Sequence, residues 1–298
     1  MTIKPAPANT DFPAPRRVVV FGGVHGCQKP FFKQLTDLGI RISPSAMPPD
    51  LVVLQVGSVI GPNRMPSQHI VRIITHLRDA HPGQWFQLLG PNESKFTPGG
   101  RNWKYESDHG YDIDFIHQRL LNYWWSKPHS GVAAVITSNT MAPTLVTPAG
   151  VTSDICQRIG SNDPYDIAAT LNQATKLATP YIFEGAHHFG QHDNKPGPIL
   201  TTPYELWASW SDTPLPFDQI VGHIPPFHFG KRKWFKSPTL CDPTTIYDLT
   251  TIDDKRMTWW KSRHSPHGIA HIGNSVHPNS TPDKIPPHRF DGAVIEIP

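Results

Sequence analysis

Five short apolar runs in this chain each lead into a glycine, and that repetition constrains the fold more than any other feature. Arg17 to Phe21 is closed by Gly22-Gly23, Leu51 to Val56 by Gly57, and Trp85 to Leu89 by Gly90. Leu145-Val146-Thr147 leads through Pro148-Ala149 to Gly150, and Phe217 to Val221 ends at Gly222. Short continuous apolar runs bounded by turn residues are the pattern of strands buried on both faces. Between the first three runs the spacing becomes helical. Pro30 precedes Phe31, Phe32, Leu35 and Leu38 with Gly39 beyond them, and Ile70, Val71, Ile73, Ile74 and Leu77 mark a second amphipathic stretch. Strand-helix-strand-helix-strand at this spacing predicts parallel β-α units, hence an α/β fold.

The second half is less regular. The pattern predicts a helix over 113–125, strands over 133–137 and 144–147, and a helix from Asp163-Pro164 to about residue 178. There Asp is the N-cap and Pro stands in the first turn. Tyr204 to Trp210 reads as a short helix, and Thr244 to Leu249 and Val294 to Ile297 as strands.

Composition removes several function classes. A hydrophobic share of 38% with nine Trp and fourteen Phe excludes a wholly disordered chain. No apolar run approaches the roughly 18 residues of a membrane span, and the start lacks the apolar stretch of a signal peptide. A net charge of +3 demands neither nucleic acid nor a membrane as partner. Cys27, Cys156 and Cys241 are far apart and form no C-x-x-C pair. They read as buried thiols in a reducing compartment, which makes a cytoplasmic location the expectation.

The turns behind the five runs carry the chemistry. They are Gly22-Gly23-Val24-His25-Gly26, Gly57-Ser58-Val59-Ile60-Gly61-Pro62-Asn63, Gly90-Pro91-Asn92-Glu93, Leu145 to Gly150, and Val221-Gly222-His223-Ile224-Pro225. In open α/β sheets ligands bind in the crevice beyond the strand carboxyl ends, and five turns in series would line one such crevice. In order and spacing these turns resemble the calcineurin-like metallophosphoesterases. The likeness is to the serine/threonine phosphatase and diadenosine-tetraphosphatase branch, with G-D-x-H-G, G-D-x-x-D-R-G, G-N-H-E, H-A-G and G-H-T-P. The resemblance runs from about residue 17 to residue 250. It implies a two-sheet α/β sandwich with two metal ions held at the strand ends.

The departures from the pattern fall on chemistry. At the family's ligand positions this chain carries Gly23, His25, Ser58, Pro91, Pro148 and His223. Only His25 and His223 retain a side chain able to coordinate, as weak residual metal candidates. Two divalent ions about 3.5–4 Å apart need anionic ligands between them. Both metal-binding carboxylates are absent, and two imidazoles suit at most one soft ion. The proton-relay histidine is replaced by Asn92, the second acid of the second motif by Gly61, and its phosphate-gripping arginine by Pro62. A shift of one place would make Asn92 the metal-site asparagine, with Glu93 then one place off. The resemblance thus implies a catalytically inactive member with no catalytic residues and no cofactor. The alternatives are an esterase with a rearranged or mononuclear manganese, iron or zinc site, or a pseudo-phosphatase binding a nucleotide or phosphorylated partner in the crevice.

The chain holds 33 prolines, about one residue in nine against a usual ~5%. They help set the boundaries: an extended N-terminal arm over 1–16, a metallophosphoesterase-like domain over 17–261, and a Pro/His-rich arm over 262–298. Extended Pro-rich arms suit wrapping over a neighbour, so other protein subunits are the expected partners, in a virion or another multi-subunit complex. His187, His188, His192 and Asp193 have ligand-like chemistry but read as a polar loop. The tail histidines 264, 267, 271, 277 and 288 read as part of the arm. One Trp of each pair, Trp124-Trp125 and Trp259-Trp260, is expected in the core and the other half-exposed. Lys231-Arg232-Lys233 reads as a solvated strand edge and Cys27 as packing.

Overall fold

The first three apolar runs form strands β1 (Arg17–Phe21), β2 (Leu51–Gln55) and β3 (Trp85–Leu88), joined through helices α1 (Gln28–Asp37) and α2 (Arg64–Ala80). The computed structural model describes residues 17–61, 64–90, 93, 115–127, 129–137, 142–148, 150–176, 215–222, 227–228, 233–234, 247–252, 257–262, 268–272 and 294–297. β1 runs parallel to β2 with Val18 opposite Val52, and β2 runs parallel to β3 with Leu54 opposite Phe86. A two-residue strand β4 (Ser130–Gly131) extends this sheet beside β3. The fold is therefore mixed α/β with a parallel core, as the strand-helix alternation predicts.

The second sheet draws on the rest of the chain. Its described strands are β5 (Ala134–Ile136), β6 (Thr144–Thr147), β7 (Asp218–Val221), β10 (Tyr247–Ile252), β11 (Met257–Ser262) and β12 (Gly268–Ile272), in the order β10-β11-β12-β7-β6-β5. β6, β7 and β12 are parallel neighbours, and β5, β10 and β11 are antiparallel. A small hairpin, β8 (Phe227–His228) with β9 (Lys233–Trp234), stands apart and ends in part of the basic cluster.

Strand periodicity explains why the runs are apolar throughout. Successive side chains point to opposite faces. Val19, Phe21, Leu51, Val53 and Trp85 share a buried cluster with Phe31 and Leu35 of α1 and Ile70, Ile74 and Leu77 of α2. The alternate residues Val20, Leu54 and Leu88 join Ala134, Ile136, Val146 and Ile220 of the second sheet in another. Each large side chain buried this way stabilises by roughly 1.5–3 kcal/mol.

Helix α3 (Phe115–Ser126) closes the outer layer. Trp124 is fully buried, donates from Nε1 to Thr75 Oγ1 at 2.7 Å and lies under the Arg78 guanidinium, whereas Trp125 is half-buried. Desolvation lowers the pKa of Arg78 to about 10, so it remains a cation, and Nη2 donates to Ser130 Oγ at 2.6 Å. Helix α5 (Pro164–Lys176) starts as expected, with Asp163 Oδ1 accepting from Tyr165 N at 2.8 Å. Helix α4 (Ser153–Ile159) was not foreseen. Thr152 caps its first turn by accepting from Ile155 N, and Gly160 ends it in the left-handed conformation at φ 77°. Cys156 on this helix is buried, and burial pushes its thiol up to about 11. No described helix is long and apolar enough to cross a membrane.

The C-terminal stretch departs from its reading as an arm. Two strands lie beyond the boundary at 262. β12 (Gly268–Ile272) sits between β11 and β7, and β13 (Val294–Ile297) pairs antiparallel with β1, Val18 opposite Ile297. Val294 to Ile297 is the strand expected there, whereas the tail composition hid β12, a short apolar island among His, Pro and Ser. The N-terminal arm, the Tyr204–Trp210 helix and the histidines at 187, 188 and 192 lie outside the described residues.

Candidate functional site at the strand ends

Backbone contacts lock the first two turns together. Ser58 O accepts from Val24 N at 2.9 Å and from His25 N at 2.7 Å, and Val59 O accepts from Gly26 N at 2.8 Å. His25 and Ser58 both sit in the left-handed region, at φ 48° and 56°. Non-glycine residues there cost on the order of 1–3 kcal/mol, so surrounding contacts must hold them. The other turns close on the same end. A Cβ at Gly57 would lie 2.5 Å from Gly90 N, and one at Gly222 would lie 2.8 Å from Val56 Cγ2 and 3.2 Å from Pro148 O.

Side chains that sequence reasoning passed over brace this junction from beneath. Gln55 donates from Nε2 to Gly22 O and Gly57 O at 3.1 and 2.8 Å, and its Oε1 accepts from Gly57 N at 2.8 Å. Gln87 Nε2 donates to Gln55 Oε1 and to Leu88 O. Gln219 plays the same part in the other sheet, donating to Val151 O and accepting from Val151 N, both at 3.0 Å. All three glutamines are fully buried and satisfied, which removes the cost of burying an amide. A signal existed. Gln55, Gln87 and Gln219 each stand two or three places before a strand-end glycine.

Glu93 is the other residue whose role only the structure shows. Its side chain is fully buried, with Oε1 accepting from Ile60 N at 2.9 Å and Oε2 from Ser58 N and Gly90 N, each at 3.0 Å. These amides favour the carboxylate, but burial outweighs them and holds its pKa above the ordinary value.

The family's metal pair does not fit the described residues. A Cβ at Gly23 would lie 2.8 Å from His25 Nε2 and 3.1 Å from Ser58 Cβ, so the imidazole occupies the space an acid at 23 would need. A Cβ at Gly61 would lie 1.7 Å from His25 O, which leaves no room for any side chain. Ser58 is fully buried, and its Oγ has no hydrogen-bond partner. Pro148 is buried beside Gly222 and offers only its carbonyl. Pro62, Pro91, Asn92 and His223 lie outside the described residues. Among the described residues, no group of three or more His, Cys, Asp or Glu is placed to hold an ion. Nothing in this donor set carries the charge that a bridged divalent pair requires.

Desolvation among the packed turns lowers the pKa of His25 from 6.5 to about 4. The folded chain therefore refuses a proton that the unfolded chain accepts between those values. Stability from this group is complete above pH 6.5 and falls as pH drops toward 4. The expected loss is about 2–3 kcal/mol. His25→Asn, which tolerates the left-handed backbone, should remove that part of the acid limb in urea titrations at pH 7 and 4.5. An equal loss in wild type and variant would assign the acid sensitivity elsewhere.

No protein-family description and no curated protein matches this sequence. Among solved structures, one that it resembles is a serine/threonine phosphatase from Saccharomyces cerevisiae with similarity to human phosphatase PP5. The overlap has a TM-score of 0.39 at 13% identity, over 72% of this chain and 62% of the yeast chain. Another is a cold-active protein-tyrosine phosphatase of a psychrophilic Shewanella, with a TM-score of 0.39 at 14% identity over 71% of this chain and 67% of that one. The chain thus spans less than two thirds of the first. Overlaps this loose speak to neither chemistry nor ancestry.

Proposed function

We propose that this chain is a catalytically inactive protein built on a metallophosphoesterase-like two-sheet α/β sandwich, used as a structural or binding module within a larger assembly. The observation that carries the reading is the packing at Gly23 and Gly61. His25 fills the space of the first acid, and its carbonyl fills the space of any side chain at 61. Each loss is therefore accommodated by neighbouring atoms, and one substitution does not reverse it. The buried cluster contributed by both sheets supports the sandwich.

Metal content of the untagged protein tests the proposal directly. It should purify without stoichiometric manganese, iron or zinc and show no metal-stimulated hydrolysis of aryl phosphomonoesters or phosphodiesters. A chelator should shift its melting temperature by less than about 2 °C, since folding is then not linked to an ion. Two ions per chain, or turnover abolished by His25→Ala, would establish the rearranged or mononuclear esterase instead.

A further inference from the structure

The amides around Glu93 form a more specific feature than the family resemblance supplies. Ser58 N, Ile60 N and Gly90 N come from two different turns and converge on one carboxylate within 2.9–3.0 Å. Backbone N–H groups aimed together make an anion-binding concavity, and burial strengthens each bond. The surroundings suit an oxyanion closely. A Cβ on Gly90 would come within 3.0 Å of Glu93 Oε2 and 2.6 Å of Ser58 N, so glycine is what lets the carboxylate reach its donors. Ser58, whose amide is one of the three, also buries a hydroxyl with no partner of its own.

We propose that these three amides are a carboxylate-binding site, filled in the intact chain by the side chain of Glu93. With Glu93 in place, no second anion shares these donors. With the side chain cut back, the nest takes a small free carboxylate in its stead. Glu93→Ala removes a CH2–COO⁻ group, and acetate has the same heavy atoms, so acetate is the probe of choice and formate a smaller one. The inference rests on the local donor geometry and not on the metallophosphoesterase reading, so either can fail without the other.

The test is thermal unfolding of the full-length wild type, Glu93→Ala and Glu93→Gln in sodium acetate, formate, phosphate or chloride at matched ionic strength. The alanine variant should melt lower than wild type in chloride. It should then regain about 2–3 °C at acetate tenfold above its Kd, along a saturable curve. Wild type and Glu93→Gln, whose nests stay filled, should show no such response. An alanine variant that acetate stabilises no more than it does wild type would overturn the proposal, as would a response to phosphate with none to acetate or formate. If the alanine variant does not fold in chloride, its refolding is compared across the same salts. Cooperative melting recovered in acetate but not in chloride supports the site, and recovery in none of them overturns it.

Discussion

Alanine at position 61 is expected to destabilise the folded protein severely, while alanine at position 83 lowers stability only modestly. The pair separates two roles of glycine. At Gly83 the backbone has φ 85° and a Cβ would meet nothing within 4 Å, so the cost is conformational, about 1 kcal/mol. At Gly61 the new Cβ would lie 1.7 Å from His25 O, 2.2 Å from His25 C and 3.0 Å from Gly26 N. Those are backbone atoms, and the turn that holds them is itself bonded to Ser58 and Val59. Relief requires the first and second turns to separate, with a cost above about 4 kcal/mol. For a chain of this size that is a fall in Tm of roughly 6–8 °C or more. Circular dichroism melts of both variants check it, and a Gly61→Ala protein within a few degrees of wild type would refute the contact.

Removing residues 263–298 is the second large effect. As the Pro/His-rich arm that composition suggests, this segment would be dispensable to the core. The sheet order predicts otherwise. β12 joins the β10-β11 pair to β7, so the deletion strands two antiparallel strands from the parallel part of their sheet. It also strips β13 from β1 and exposes an edge with unpaired donors and acceptors. The truncated protein is expected to be insoluble or to lose cooperative unfolding. Deleting only residues 294–298 should leave a folded protein with a lower Tm. A soluble 1–262 fragment that melts like the full chain would restore the reading of the tail as a detachable arm.

How far the sequence could be read follows from the range of each interaction. The first three strands and their helices were legible because local periodicity alone decides them, as Phe31 with Leu35 and Ile70 with Ile74 illustrate. Asp163 was legible because a cap acts within three residues. α4 escaped because seven residues are too few for periodicity to stand out, although Thr152 and Gly160 bracket it. β12 escaped altogether, and β13 was legible as a strand but its pairing with β1 was not, because their partners lie far away in sequence. At the site, missing acids could be read from the turn spacing. The filling of their space by His25, the glutamine brace and the amides around Glu93 are tertiary facts. Each depends on how separate turns approach, and no single turn encodes that.

The pairing of β1 with β13 also sets a clock on synthesis. Residues 17–21 leave the ribosome early, yet the outer edge of β1 meets its partner only when residues 294–297 emerge. At 5–20 residues per second that interval is about 15–55 s, far longer than the microseconds in which strands find one another. Throughout it the nascent chain carries an open, apolar strand edge in a crowded cell. Slowing translation of the last third should therefore raise aggregation without any change in the finished protein.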